Sequence, residues 1–443
     1  MATVAAGTRP GRGLLRILGL AFGIAVVVGD TVGVGIMRTP GATAGRLHDP
    51  ALIYLVWLAL GIYALIAANT LAELATAIPQ AGGLYVYVRR AFGDFLGFVC
   101  GWGDFGIQSI AIGYLAVASS EFLAQALPSL AGRENLIAPA LIVGFAALNS
   151  VGLRTSSATA QLVSLLKVLL LAALVVAAFA VAPLGARASP APAVHGAAGL
   201  VAIIVSMQIV LEVYGGFNAA CYFSEETTDP GRTVPRALLY GVLLVMVVYL
   251  AVNAALMHVL TAAELGASKL AAGDALAKLF GPAAGTAVAL VAVGASLGVL
   301  NTCMLVAPRI LYGMSRDRLF MSPGSYVTRR GVPLPALWLS AASATVFAAL
   351  GSFETLYAAS AFLAACTDLL CNGALFVLRR REPQLPRPYR AFGYPWVPGI
   401  VLLAAAGLLI AFILGNPRPS LLALGVLLLT YPLFRFARGA RQA

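Results

Sequence analysis

Gly29-Asp30-Thr31-Val32-Gly33-Val34-Gly35-Ile36, with Met37-Arg38-Thr39-Pro40-Gly41 directly behind it, is the stretch on which the fold turns. It lies in the first long apolar run of the chain. Three glycines within seven residues, followed by a proline, are poor material for a continuous helix. A helix broken in lipid exposes unpaired N–H and C=O groups, which is tolerated only where protein or a water-filled cavity satisfies them. The freed N–H groups at the start of the second half-helix suit an anion such as a carboxylate. Glu212-Val213-Tyr214-Gly215-Gly216-Phe217-Asn218 repeats the interruption in the sixth apolar run. Breaks in the first and sixth runs occupy corresponding positions of two five-helix halves, which is how sequence points to a transporter's binding site. Glycines in apolar helices also serve close helix packing, but two breaks in register favour a site.

Around these breaks the 443-residue chain is 60% hydrophobic and only 10% charged, with a mean hydropathy of +0.92. A soluble domain carries roughly a quarter charged residues, so lipid rather than water is the main solvent. Cut into spans of about 20 residues, the chain has room for on the order of a dozen transmembrane helices. The net charge of +12 does not point to nucleic acid, because the charges sit in short loops and form no continuous basic face. Cys100, Cys221, Cys303, Cys366 and Cys371 fall inside or beside apolar stretches without a C-x-x-C pair, and His48, His195 and His258 are isolated. Packing is therefore expected of the thiols, with no metal site and no cofactor. The first apolar run is too long for a signal-peptide core and reads as a retained span.

Twelve spans are expected, at about 14–42, 51–72, 93–127, 135–150, 156–182, 197–224, 236–260, 281–313, 335–350, 353–378, 396–414 and 419–436. With both termini cytoplasmic, twenty-one of the 29 lysines and arginines fall inside and six outside, while Arg38 and Lys167 lie within spans. That asymmetry satisfies the positive-inside rule and sets the expected orientation.

Further motifs stand in order along the chain. Gly33-Val34-Gly35-Ile36 with Pro40-Gly41 is similar to a G-x-G-I-F…P-G pattern, and Pro79-Gln80-Ala81-Gly82-Gly83-Leu84-Tyr85-Val86-Tyr87 to P-x-x-G-G-x-Y-x-Y. Glu225-Glu226 through Asp229-Pro230-Gly231-Arg232 and Pro235-Arg236-Ala237 resembles E-E…P-x-R-x-x-P-R-A. Pro308-Arg309 with Tyr312 and Arg316-Asp317, then Arg387-Pro388-Tyr389-Arg390, add further matches. From about residue 14 to 400 the chain thus resembles the amino acid permeases of the amino acid–polyamine–organocation superfamily. The resemblance implies an all-α integral membrane protein with a five-plus-five inverted repeat (LeuT-like) and discontinuous helices 1 and 6. It divides the chain into a cytoplasmic segment over 1–13, repeats over 14–182 and 197–378, helices 11 and 12 over 396–436, and a tail over 437–443. It also implies that Thr31, Gly33, Val34 and Gly35 offer backbone groups to a substrate carboxylate, and that Val213 to Gly216, with Tyr214 and Gly215 between them, offer carbonyls to its ammonium. Gly103 and Ile107 are expected to line the pocket from the third span.

Ionisable groups at membrane depth cost several kcal/mol and are functional hypotheses by default. Lys167 matches a lysine that some members carry where sodium-coupled relatives bind an ion, so proton coupling or ion-independent exchange is expected. Glu212 departs from the family, where an aromatic covers the substrate, and with Asp30 it could attract a second positive charge or carry a proton. It could equally pair with Lys167 or Arg38, or stay protonated and hydrogen-bonded. That departure opens the alternative of a cationic amino acid or polyamine transporter. Glu73 reads as a structural partner near the cytoplasmic face. Asp104 sits in a literal G-x-G-x-x-G, but no strand precedes it, so no dinucleotide site is inferred. Asp368 and Arg38 receive no role.

The leading expectation is a secondary transporter of an amino acid or related amine, driven by protons or exchange, in the cytoplasmic membrane. No G-x-x-x-x-G-K-[ST] supplies primary energy, and no nucleophile–base set or metal cluster suggests an enzyme. An amine sensor would want a reporting extension, and a channel a continuous polar stripe. No outer-loop cysteine is placed to tether a partner subunit, so independence from one is expected.

Overall fold

The computed structural model describes residues 19–80, 82–150, 157–181, 196–222, 224, 227–328 and 332–439, without the side chains of 157–164 and 166. The expected segment 1–13, Ala81, the Glu225-Glu226 pair and the last tail residues lie outside them. The first run is two helices, α1 (Leu20–Thr31) and α2 (Val34–Leu47), bent by 43° at the break. Then come α3 (Pro50–Ala77), α4 (Leu84–Phe92), α5 (Asp94–Ala126), α6 (Glu134–Ser150) and α7 (Ser157–Ala180). The sixth run is α8 (Gly196–Val213) and the short α9 (Ala219–Tyr222), separated by turns over 214–218. There follow α10 (Pro230–Val259), α11 (Ala262–Ala267), α12 (Ala271–Phe280), α13 (Pro282–Arg316), α14 (Leu334–Leu350) and α15 (Phe353–Arg381). The chain closes with α16 (Trp396–Gly415), α17 (Pro417–Leu428) and α18 (Thr430–Gly439).

Among the described residues eight helices are long and apolar enough to cross a bilayer, or nine if the bent α1–α2 pair is one span. Three shorter apolar helices accompany them, at Glu134–Ser150, Lys167–Ala180 and Leu334–Leu350. The outer faces stay apolar: α16 exposes Leu403, Ile410 and Leu414. Such a surface suits acyl chains and not water.

Charged residues at one end of the bundle clamp distant parts of the sequence together. Glu73 of α3 is 1% exposed and accepts from Arg379 at 2.5 and 2.9 Å, from Arg387 at 3.1 Å and from the Ala391 N–H at 2.6 Å. One turn earlier, Asn69 accepts from the Tyr389 hydroxyl at 2.6 Å and the Phe392 N–H at 3.0 Å. The Arg387-Pro388-Tyr389-Arg390 motif is thus the strap that closes the segment between α15 and α16 onto α3. Nearby, Arg89 bridges Asp94 at 2.8 Å and Asp317 at 2.9 Å, and Tyr85 donates to Asp317 at 3.2 Å. Glu73 has the structural pairing that the sequence reading gave it.

Removing one member of a buried charged cluster leaves its partners uncompensated, at a cost of roughly 3–5 kcal/mol. Glu73→Ala is therefore expected to lower the protein's stability by about that amount, read from urea or thermal unfolding in detergent. An unfolding midpoint equal to the parent's would show that the cluster is solvated and carries no such weight.

Candidate functional site

The two breaks meet face to face. Gly216 has φ +90°, a left-handed conformation that costs a side-chain-bearing residue about 1–2 kcal/mol. A Cβ there would lie 2.9 Å from the Asp30 carbonyl carbon. Likewise a Cβ on Gly35 would lie 3.2 Å from Val213 and overlap the Tyr357 hydroxyl. Glycine is needed at these two positions because backbone approaches backbone and side chain without room for a methyl group.

Freed carbonyls at the breaks are held by side chains from other helices. The Tyr249 hydroxyl of α10 lies 2.8 Å from the Thr31 carbonyl and 3.2 Å from the Val213 carbonyl, the last residues of α1 and α8. Lys167 of α7, 7% exposed, donates to the Gly29 carbonyl at 3.0 Å. An ammonium at a helix C-terminus also meets the negative end of the helix dipole. At the start of α2 the cap residue is Gly33, with no side chain to cap the first N–H groups. Helix geometry gives those groups no partner within the helix, and they border a cavity.

That cavity measures about 90 Å³, several times the ~10–15 Å³ one water needs. Asp30, Thr31, Gly33, Val34 and Gly35 line it from the first break, Glu212, Gly215 and Gly216 from the second, and Ile107 from α5. Three residues expected at the site do not reach it. Tyr214 turns to α3, donating to the Trp57 carbonyl at 3.0 Å and packing on Trp57 and Tyr249. The Val213 carbonyl is already engaged by Tyr249. Gly103 faces Leu427 and Thr367, where α5 packs against α17 and α15.

Other lining residues had no role in the sequence reading. Asp104, Gln108, Ala111, Tyr114 and Leu115 continue from Ile107 along one face of α5, at intervals of three and four. Tyr357, Ala364 and Asp368 do the same on α15. Extending helical periodicity from the buried acids would have found them. Glu212 accepts from the Tyr114 hydroxyl at 3.2 Å. Among the described residues no lysine or arginine pairs with it, so its expected pairing with Lys167 or Arg38 does not form. Arg38 instead pairs with Glu121 and, at 2.6 Å, with Glu354, and lies 4.3 Å over the Phe353 ring. Phe353, Tyr357 and Tyr114 form an aromatic cluster beside it, and Tyr357 and Tyr114 line the cavity.

Two interrupted helices facing each other across a small polar cavity, inside a bundle with a lipid-facing surface, define a membrane carrier. A family model described as amino acid permease matches residues 18–431, and the chain belongs to that family, within the amino acid–polyamine–organocation superfamily. It is similar to the serine/threonine exchanger SteT of Bacillus subtilis (strain 168), with 28% identity over 91% of each chain. It is 27% identical to the human b(0,+)-type amino acid transporter 1, over 96% of this chain and 88% of the relative. The human large neutral amino acids transporter small subunit 2 is 26% identical over 96% of this chain and 81% of its own length. The protein is a permease by family, and no group of metal-ligating side chains stands together among the described residues.

Gly216→Ala is expected to destabilise the purified protein by about 1–2 kcal/mol or more. Gly298→Ala is the matched control, because a Cβ at Gly298 meets nothing within 4 Å. It should be neutral or stabilising by ~0.5–1 kcal/mol. Thermal unfolding that ranked the two variants equally would mean the breaks are not in contact.

Proposed function

We propose that the protein is a secondary active transporter that moves amino acids across the cytoplasmic membrane by alternating access, coupled to protons or working by exchange and without sodium. The observation that carries this reading is the cavity bordered by both helix breaks, with the uncapped N–H groups of α2 on one side. Those donors suit an α-carboxylate, and the acidic groups around them suit an ammonium. Lys167 supports sodium independence: its ammonium, fixed on the Gly29 carbonyl, supplies positive charge beside the first break. That SteT is named an exchanger supports exchange as one mode.

In this reading the three shorter apolar helices complete twelve spans with the nine longer ones. Residues 14–182 and 197–378 are the two inverted repeats, and the lysine and arginine distribution puts both termini in the cytoplasm. Arg38 with Glu121 then lies toward the outside, and Arg89 with Asp317 toward the inside. These are the contacts that must open in turn. Binding at a fixed midplane site with alternate opening of two ends is how such repeats transport.

Reconstituted in proteoliposomes, the protein should accumulate labelled amino acid in sodium-free buffer, faster with an imposed pH gradient or with amino acid loaded inside. Lys167→Ala should abolish uptake while the variant remains folded and membrane-inserted. A strict sodium requirement, or near-normal uptake by the variant, sinks this mechanism.

A further inference from the structure

Four carboxylates line the cavity (Asp30, Asp104, Glu212 and Asp368), and no lysine, arginine or histidine does so among the described residues. Lys167, on the Gly29 carbonyl, offsets one of these charges, that of the adjacent Asp30, and Arg38 is engaged by Glu121 and Glu354, so three acids keep no cation. Carboxylates at membrane depth are costly unless a cation pairs with them or a proton neutralises them. A neutral amino acid brings one ammonium and one carboxylate, so it leaves this excess of negative charge unchanged.

Asp104 and Asp368 belong to neither break. They come from α5 and α15, which pack closely here: a Cβ on Gly103 would lie 3.9 Å from the Thr367 hydroxyl. Each is oriented on one oxygen by a phenol from a third helix. Tyr222 of α9 donates to Asp104 at 2.6 Å, and Tyr63 of α3 donates to Asp368 at 2.9 Å. The second oxygen of each takes no hydrogen bond from a described residue. A phenol fixes the direction of a carboxylate without cancelling its charge. Two such carboxylates lining one cavity, each with an oxygen to spare, attract an N–H₃⁺ group and accept from its donors.

We propose that Asp104 and Asp368 are the subsite for a second, side-chain ammonium, and that the substrate is a dibasic amino acid. Its α-carboxylate sits at the start of α2 and its side-chain amine reaches the α5–α15 wall. The proposal rests on the amino acid transport reading above and specifies its substrate. A neutral side chain of similar length leaves both carboxylates unpaired, and sites built for a polar group discriminate strongly against analogues that lack it. Tyr63 and Tyr222 are positioning residues in this arrangement.

Uptake of labelled L-lysine and L-leucine is compared in proteoliposomes containing the full chain. A lysine preference of about tenfold or more is expected, with the lysine-to-leucine ratio falling by a similar factor in Asp104→Asn and in Asp368→Asn. Thermal unfolding of the purified protein with L-lysine or L-leucine gives the same comparison without transport, and it covers a variant that reconstitutes poorly. Equal handling of the two amino acids overturns the subsite and leaves the carrier reading in place. A lysine preference that neither substitution moves overturns it too, and shows that the charge is read elsewhere. Failure of any amino acid to accumulate or stabilise overturns the carrier reading together with the subsite.

Discussion

The backbone groups set free at the two helix breaks are the constraint around which the structure is arranged. In a medium without water each needs a partner or a wet cavity. The fourteen residues of α2 and the four of α9 would otherwise continue helices whose ladder is already complete. Here the Thr31 and Val213 carbonyls share one tyrosine hydroxyl, and Gly29 receives the Lys167 ammonium. The C-terminal ends of α1 and α8 are thereby satisfied by protein. The N-terminal end of α2 is left to the cavity. A cavity bordered by donors without a partner in their own helix is the remainder of that accounting.

Electrostatics divides the molecule into zones. Ion pairs gather at the two ends of the 33-residue α5, with Arg89, Asp94 and Asp317 at its start and Arg38, Glu121 and Glu354 near its finish. Between them the cavity carries acids alone, each of three oriented by a tyrosine. Paired charges tie helices together, while singly signed charge in a low-dielectric interior attracts an opposite charge from solution. The same residue types therefore stand in ion pairs at the ends and among tyrosines in the middle.

Much of this was legible in the sequence. Hydropathy located the long helices within a few residues, because an apolar run of bilayer length has few alternatives. The glycine clusters located both breaks, and the isolated Lys167 declared itself by its cost in lipid. Tyr249, Tyr114 and Tyr357 did not declare themselves, since a tyrosine in an apolar helix reads as ordinary packing until its hydroxyl partner is known. Arg38 was opaque for a related reason: its partners lie 83 and 316 residues away. Val213 and Tyr214 were assigned from the position of the break, whereas the turn geometry decides which way each group points, and it sends both away from the cavity.

The clamp on Glu73 has a consequence for how the protein is made. Glu73 and Arg379 are 306 residues apart, and a ribosome adding ~5–20 residues per second needs roughly 15–60 s to bridge that interval. Throughout that time α3 is already synthesised while its acidic end has no arginine to meet. The helix must wait with Glu73 kept hydrated or in the care of the insertion machinery. Only when the segment after α15 emerges does that end of the bundle lock. Nascent chains stopped before Arg379 are thus expected to be a distinct, looser species, with the last helices acting as the signal that assembly is complete.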